Sequence, residues 1–419
     1  MKSFRFILSF LFCLFIGLSL TGCGNNAPSA NNTPVVDSLK MRLALKNTLY
    51  HLPVEPETGA HHLQALLNEY PDLAGWEKRK KCLREGLLMA MELSPLPEKT
   101  KLKPLYTGKY SLERYTVDNV AFECVPGLWV IGNLYKPAGK LTSCPAVLLA
   151  HGHGTQAPFE NCSRVEVKRQ FLAASLATMG AVVFVYDMFG HGESAYHAGT
   201  TVHGTPLAQS VQTWSSLRAV DFLASLEEVD PAHIGMTGRS GGGTQTFLAA
   251  ALDERISILA PEDQVSCFFS GGCACENGRP IHSQCGTLSN NAEIAAMAAP
   301  RPQLIVSEGK DWCRTMPDVE FPYLQTIYGY YGKAGLVENA HFADEKHETT
   351  YNKRSAVLRF FASHWGLNLQ LICNADGEID ETTFIPLPAE KLAVFPDKQL
   401  PEGALHTIED IYMALCVKR

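Results

Sequence analysis

The chain has 419 residues, 46% of them hydrophobic and 19% charged, with a formal net charge of −7. This is the composition of a folded globular protein, long enough for one large α/β core with additions at both ends, and it excludes a fibrous or disordered chain. The acidic balance and the lack of an extended basic run argue against a nucleic acid partner.

At the N-terminus, Lys2 and Arg5 precede an uncharged apolar stretch over residues 6–20. Fifteen residues are too few for a membrane span and suit the core of a signal peptide. The stretch ends in Leu20-Thr21-Gly22-Cys23, a pattern like the bacterial lipobox that is cut before a lipid-modified cysteine. The expectation is a signal peptide over 1–22, lipidation of Cys23 and a polar, Asn-rich tether over 23–36. It places the mature chain at the bacterial cell envelope, touching membrane through its lipid anchor only. Cleavage removes Lys2 and Arg5 and takes the formal charge from −7 to −9.

Residues 37–104 carry helical periodicity in "HHLQALLNEY" and "WEKRKKCLREGLLMAMEL", a helical extension broken by proline-rich joints. The pattern then changes. "YSLERYTVDNVAF" and "LWVIGNLYKPA" read as two strands of an antiparallel meander. "CPAVLLAHGHG" is an apolar run stopping at glycines, and "RVEVKRQFLAASLATMG" is a helix. "AVVFVYD" is a buried strand, "AQSVQTWSSLRAVDFLASL" a helix, and "HIGMTGRSGGG" a strand, turn and helix start. "ISILAPED" and "QLIVSEGKDW" are strands, followed by the helix "FPYLQTIYGYYGKAG", the strand "LVENAHF" and the helix "NKRSAVLRFFASHWG". Such alternation predicts an α/β domain over 105–367, with a mainly parallel sheet and helices on both faces. A tail over 368–419, with one helical stretch "HTIEDIYMAL", is expected to pack on it.

Gly238-Arg239-Ser240-Gly241-Gly242 fits G-x-S-x-G between an apolar strand and a helix. A nucleophile on that turn projects at the C-terminal edge of the sheet, and the flanking glycines let strand and helix approach closely. Ser240 needs a base, and the base needs an orienting carboxylate. His341 and His347 both lie near the end of the last strand. His347 sits in the loop proper and is the expected base, while His341 reads as packed or hydrogen-bonded. Asp311 is preferred over Glu308 as the acid because it follows Gly309 in the loop, with Glu262 and Asp263 in reserve. Oxyanion donors are expected from the backbone amides of Gly241 and His153, the latter in the "HGHG" turn. Asp187 of "YDMFGHGES" is assigned a structural role in its loop.

Thirteen cysteines are present, of which Cys13 leaves with the signal and Cys23 is the lipidation site. In an oxidising compartment the clustered Cys273, Cys275 and Cys285 favour a disulfide-pinned loop over a metal site, because Cys-x-Cys is not the usual knuckle spacing. The imidazoles of His151 and His153 are read as structural or pocket-lining. No metal and no cofactor is expected.

Taken together, "AVLLAHGHG", "YDMFGHGES", "GMTGRSGGGTQTFLAAALDERI", "GGCACEN", "NNAEIAAMAAPRPQLIVSEGKDW" and "HETTYNKRSAVLRFF" resemble the acetyl-xylan-esterase-like branch of the α/β-hydrolases, akin to dienelactone hydrolases. The resemblance spans residues 105–367. It implies Ser240 as nucleophile, Asp311 as acid, His347 as base and the amides of His153 and Gly241 as oxyanion hole. Two positions depart from relatives: Gly241 stands where multimeric acetyl-xylan deacetylases have Gln, and Arg239 precedes the serine where glucuronoyl esterases have Arg after it. The implied activity is a secreted serine esterase that removes acetyl groups from oligo- or polysaccharide through an acyl-enzyme. The alternatives are a serine peptidase or other ester hydrolase on the same triad, or an inactive glycan-binding lipoprotein.

Overall fold

A computed structural model describes residues 54–154, 159, 162–268, 275 and 289–416. The signal segment, Cys23 and the tether lie outside them. Two helices come first, α1 (Pro56–Glu69) and α2 (Leu73–Ala90). Asp72 caps the second by accepting a hydrogen bond from the Gly75 amide at 2.8 Å. The sheet begins with β1 (Leu105–Ser111), β2 (Tyr115–Val125) and β3 (Leu128–Pro137), each antiparallel to the next. The sequence pattern suggests two strands here, and the structure has three. β1 is a largely exposed edge strand without clear alternation, and the turn into β2 is closed by the Leu112 amide donating to the Tyr115 carbonyl at 2.9 Å.

Strands then alternate with helices. β4 (Cys144–Ala150), α3 (Val167–Met179), β5 (Val182–Tyr186), α4 (Pro206–Ala224), β6 (Val229–Arg239) and α5 (Gly241–Leu252) form the centre. β7 (Ile256–Glu262), α6 (Asn291–Ala296), β8 (Gln303–Glu308), α7 (Glu320–Tyr330), β9 (Val337–Phe342) and α8 (Tyr351–Trp365) continue outward. α9 (Ile408–Cys416) lies in the tail. The nine-stranded sheet has the order β1-β2-β3-β5-β4-β6-β7-β8-β9, parallel from β5 to β9.

The central strands read as continuous apolar runs because both faces are covered. Val147, Leu149, Val183 and Val185 join one core with Leu172 and Phe171 of α3 and Val357, Leu358 and Phe361 of α8. The alternate residue Phe184 points the other way, 5.2 Å ring to ring from Phe222 of α4. α5 is buried along its whole length.

Outside this sandwich, α2 is tied in by charge. Arg79 grips buried Glu293 of α6 through two bonds, 2.7 and 3.0 Å. Arg84 donates to the Leu252 carbonyl at 2.6 Å and so satisfies the C-terminal end of α5. The tail is held by Glu193, which accepts the Val394 and Phe395 amides at 3.0 and 2.6 Å. Among the described residues no helix is long and apolar enough to cross a membrane.

Candidate active site

The crossover from β4 through α3 to β5 runs one way along the sheet, and the return through α4 to β6 passes back over it. The loops after β4 and β6 therefore part at adjacent strand ends, leaving a crevice of the kind where open α/β sheets bind ligands. Ser240 stands there, between β6 and α5, with φ 59° and ψ −125°. This is a backbone conformation that costs a non-glycine residue about 1–3 kcal/mol. The Ser240 amide donates to the Glu262 carbonyl on β7 at 3.0 Å, and its carbonyl accepts from the Thr244 amide at 3.0 Å. The turn is thus over-determined from both sides. Gly242 explains the glycine run: a Cβ there would lie 2.1 Å from the Ala150 carbonyl oxygen, so α5 can begin against β4 only without a side chain.

The loop after β4 passes directly over the serine. A Cβ on Gly152 would lie 3.0 Å from the Ser240 Cβ and 2.7 Å from the Arg239 carbonyl oxygen. This brings the backbone next to His153 alongside the nucleophile, with Gly241 following it in the chain. His151 is buried. Its Nδ1 donates to the Gly152 carbonyl at 2.8 Å and its Nε2 accepts from the Met188 amide at 2.9 Å, and burial holds its pKa well below the ordinary value. This neutral ring ties the loops after β4 and β5 together. Asp187 accepts from Arg164 Nε at 2.7 Å and from the Glu193 amide at 2.9 Å, ordering its own loop.

In the loop after β9, His347 Nδ1 is hydrogen-bonded to Asp311 Oδ2. Glu308 Oε1 is 4.0 Å from the same nitrogen. Burial alone would raise the Asp311 pKa, but the hydrogen bond and charge of His347 outweigh it and bring the carboxyl below its ordinary value. Glu308 shifts the opposite way: burial and the adjacent Asp263 carboxylate push it far up, only partly offset by Lys353. The loop is tied to the elbow, since Arg239 Nη1 donates to the His347 carbonyl at 3.0 Å. The Trp312 ring lies 4.8 Å from the His347 ring, and its Nε1 donates to the Asp263 carbonyl at 2.7 Å. His341 is apart from this group, its Nδ1 bonded to Ser307 Oγ at 2.9 Å.

Two features escape the sequence reading. One is Lys353 of α8, fully buried, donating to Asp263 at 2.8 Å, Glu308 at 3.0 Å and the Lys346 carbonyl at 2.9 Å. A lysine on a helix face gives no hint that it sits under the catalytic loops. The other is a group of metal-capable side chains: His153, His191 and His203 each present one ligand atom, all within 4.8 Å of one another. A second group, Asp263, Glu308 and His347, consists of the base and two carboxylates beside it.

Cys275 corrects an expectation. It is a buried thiol that takes no part in a disulfide itself, and its sulfur lies against His153 and His203 at 3.3 and 3.1 Å. Cys273 and Cys285 lie outside the described residues. Cys82 of α2 is disulfide-bonded.

The acetyl xylan esterase family model matches residues 89–271. A solved structure, methylesterase BT1017, is 35% identical, with a TM-score of 0.78, and the match covers 86% of this chain and 79% of that one. The chain belongs to the acetyl-xylan-esterase-like α/β-hydrolases. It is an ester-hydrolysing enzyme. YtaP of Bacillus subtilis is 31% identical over 132 residues, which make up 29% of this chain and 44% of that protein. The 4-O-methyl-glucuronoyl methylesterase 1 of Sodiomyces alcalophilus is 30% identical over 92 residues, 22% of this chain and 16% of that protein. The chain thus spans less than half the length of these two relatives.

Proposed function

We propose that this esterase works by a serine acyl-enzyme mechanism on ester groups carried by carbohydrate. Ser240 attacks the ester carbonyl while His347 takes its proton, and Asp311 fixes the imidazole so that Nε2 faces the serine. The amides of Gly241 and His153 stabilise the oxyanion. His347 returns the proton to the departing alcohol, and water, activated by the same ring, releases the acid. The observation that carries this reading is the strained Ser240 at the β6–α5 turn, which nothing in the core packing requires.

The acetyl xylan esterase family match supports acetylated oligo- or polysaccharide as substrate, with acetyl as the acyl group. A specific observation favours a second reading. The relative matched over 86% of this chain is named a methylesterase. On that reading the sugar acid is the acyl group and methanol leaves. The lipobox-like Leu20–Cys23 motif supports secretion and a lipid anchor at Cys23.

The test compares wild type with Ser240→Ala on acetylated xylan, p-nitrophenyl acetate and a methyl-esterified uronic acid polymer, measuring acetate and methanol. Acetate from the polysaccharide, lost in the variant, supports the first reading; methanol alone supports the second. A folded wild type that releases neither product and is not labelled by a fluorophosphonate probe would refute the serine esterase. His347→Ala is expected to abolish turnover and His341→Ala to spare most of it.

A further inference from the structure

We infer that His153, His191, His203 and Cys275 form a binding site for a zinc-type divalent metal ion, set beside the nucleophile and clamping the loops that surround it. The four residues come from separate parts of the chain: the loop after β4, the loop after β5, the turn before α4, and the segment between β7 and α6. Nothing in local sequence brings them together, yet the ligand atoms of the three histidines converge, and Cys275 joins them on the His153 and His203 side. His153 Nε2 and His203 Nε2 are 2.6 Å apart, and Cys275 Sγ is 3.3 Å from the first and 3.1 Å from the second. His191 offers a nitrogen within 4.8 Å of those of both other histidines. Around a tetrahedral zinc, bonds of about 2.0–2.1 Å to nitrogen and 2.3 Å to sulfur set nitrogen pairs about 3.3 Å apart and nitrogen–sulfur pairs about 3.6 Å apart. The printed contacts of 2.6, 3.3 and 3.1 Å are each shorter than those values by less than 1 Å, so small outward side-chain shifts would make room for the ion.

Three further observations are consistent with a metal site, the first and third favouring it over a simple hydrogen-bonded cluster. First, the tautomer of His203 is set as a ligand requires. Its Nδ1 donates to the Phe189 carbonyl at 2.7 Å, leaving the Nε2 lone pair directed at the group, as is usual for a metal-bound imidazole. Second, the three rings stand nearly perpendicular to one another. Interplanar angles are 90° for His191 with His203, 75° for His153 with His203 and 70° for His153 with His191, with centroids 4.4, 4.7 and 5.6 Å apart. Imidazoles arranged about one ion can approach each other in this way, and edge-to-face packing is also open to rings without an ion. Third, His191, His203 and Cys275 are buried, and imidazole with thiolate is a donor set suited to zinc.

Such an ion would do structural work at the active site. The His153 ring covers Gly241, since a Cβ on that glycine would lie 3.0 Å from His153 Cε1. Fixing the ring would fix the loop whose amide faces the oxyanion, without the ion touching the substrate.

The test uses the full mature chain prepared without a polyhistidine tag. Protein stripped with chelator is incubated with zinc or cobalt, passed through gel filtration and assayed by elemental analysis and absorption spectroscopy. The expected result is one retained equivalent in wild type and in Ser240→Ala, higher thermal stability with metal, and a thiolate-to-cobalt charge-transfer band. His203→Ala and His191→Ala are expected to lose the retained metal. Cys275→Ser, chosen because it should fold, is expected to lose the charge-transfer band. Wild type that retains no metal, or a band that survives in folded Cys275→Ser, would overturn the assignment. Metal content and spectrum do not depend on the esterase reading, so failure of one leaves the other standing.

Discussion

Asp311→Asn is the substitution that most sharply tests which carboxylate serves His347. Asp311 Oδ2 is bonded to Nδ1, while Glu308 Oε1 lies 4.0 Å from it, beyond hydrogen-bond reach. Glu308 is also shifted towards its neutral form by burial and by Asp263, so it cannot supply the lost negative charge. With no substitute acid the full effect of a triad Asp-to-Asn change is expected, a fall in kcat of about 10³–10⁴-fold. At about 1.36 kcal/mol per decade that is ~4–5.5 kcal/mol of lost transition-state stabilisation. KM and the unfolding temperature should change little, because the side chain lies in a loop and carries no core packing. Steady-state kinetics on p-nitrophenyl acetate, with Glu308→Gln in parallel, measures both. Glu308→Gln is expected to keep kcat within about tenfold, as it mimics an already neutral acid. If Asp311→Asn keeps more than a tenth of wild-type kcat, or Glu308→Gln causes the larger loss, the acid has been misassigned.

Glu308 also predicts a pH dependence of stability. Its folded pKa is raised, so across neutral pH the native state holds a proton that the unfolded chain, with a value near 4.5, has released. Wild type therefore loses stability relative to Glu308→Gln as pH rises above about 4.5, by up to ~1.4 kcal/mol per pH unit. Thermal unfolding from about pH 5 to 8 checks this, and parallel curves for the two proteins would mean that Glu308 is ionised in the fold. Lys353→Met should destabilise by about 3–5 kcal/mol, since it leaves the Asp263 carboxylate buried without its cation. Urea unfolding measures it, and a loss below about 1 kcal/mol would show that the trio contributes little. Gly152→Ala should lower kcat by about 10²–10³-fold by pushing the oxyanion loop away from Ser240, with circular dichroism unchanged. Wild-type kcat in that variant would show that the loop does not supply a donor.

Most of the sheet is legible in the sequence because its strands are buried on both faces and end at glycines or acids. "AVVFVYD" and "QLIVSEGKDW" permit little else. β1 is harder to read: it is an edge strand with largely exposed residues, so its pattern lacks the alternation that marks a half-buried strand. The serine turn announces itself through glycines that backbone crowding requires. By contrast, the convergence of His191, His203 and Cys275 is a property of loop paths across the sheet edge, and loop paths are not periodic. His203 sits in "TTVHGTPL", which carries no motif at all. Cys275 stands apart from the disulfide expectation because neighbouring cysteines suggest disulfides, and the histidines facing it in space are not visible in sequence.

The buried lysine bears on why one carboxylate out of several can serve the base. The C-terminal ends of β7 and β8 and the loop after them bring Glu262, Asp263, Glu308 and Asp311 to one stretch of the sheet edge, beside His347. Four ionised carboxylates so close would repel one another, and competing acceptors would blur the orientation of the ring. Lys353 reaches up from α8 and takes Asp263 and Glu308 as partners. One cation between two buried acids favours a single negative charge on the pair, and Glu308 is the one displaced towards neutrality. Glu262 is likewise raised by burial, with Arg169 opposing the shift. Asp311 has its pKa lowered and its oxygen on the ring nitrogen. On this account Lys353 acts on catalysis through the neighbouring acids rather than by touching substrate. Lys353→Met should therefore let Glu308 or Asp263 compete for His347 or alter the ionisation of the group, shifting the pH profile of kcat. Lys353→Arg, which keeps the charge, should restore the profile even where its extra bulk lowers stability. A Lys353→Met enzyme that is less stable but has an unshifted pH profile would reduce the trio to a packing element.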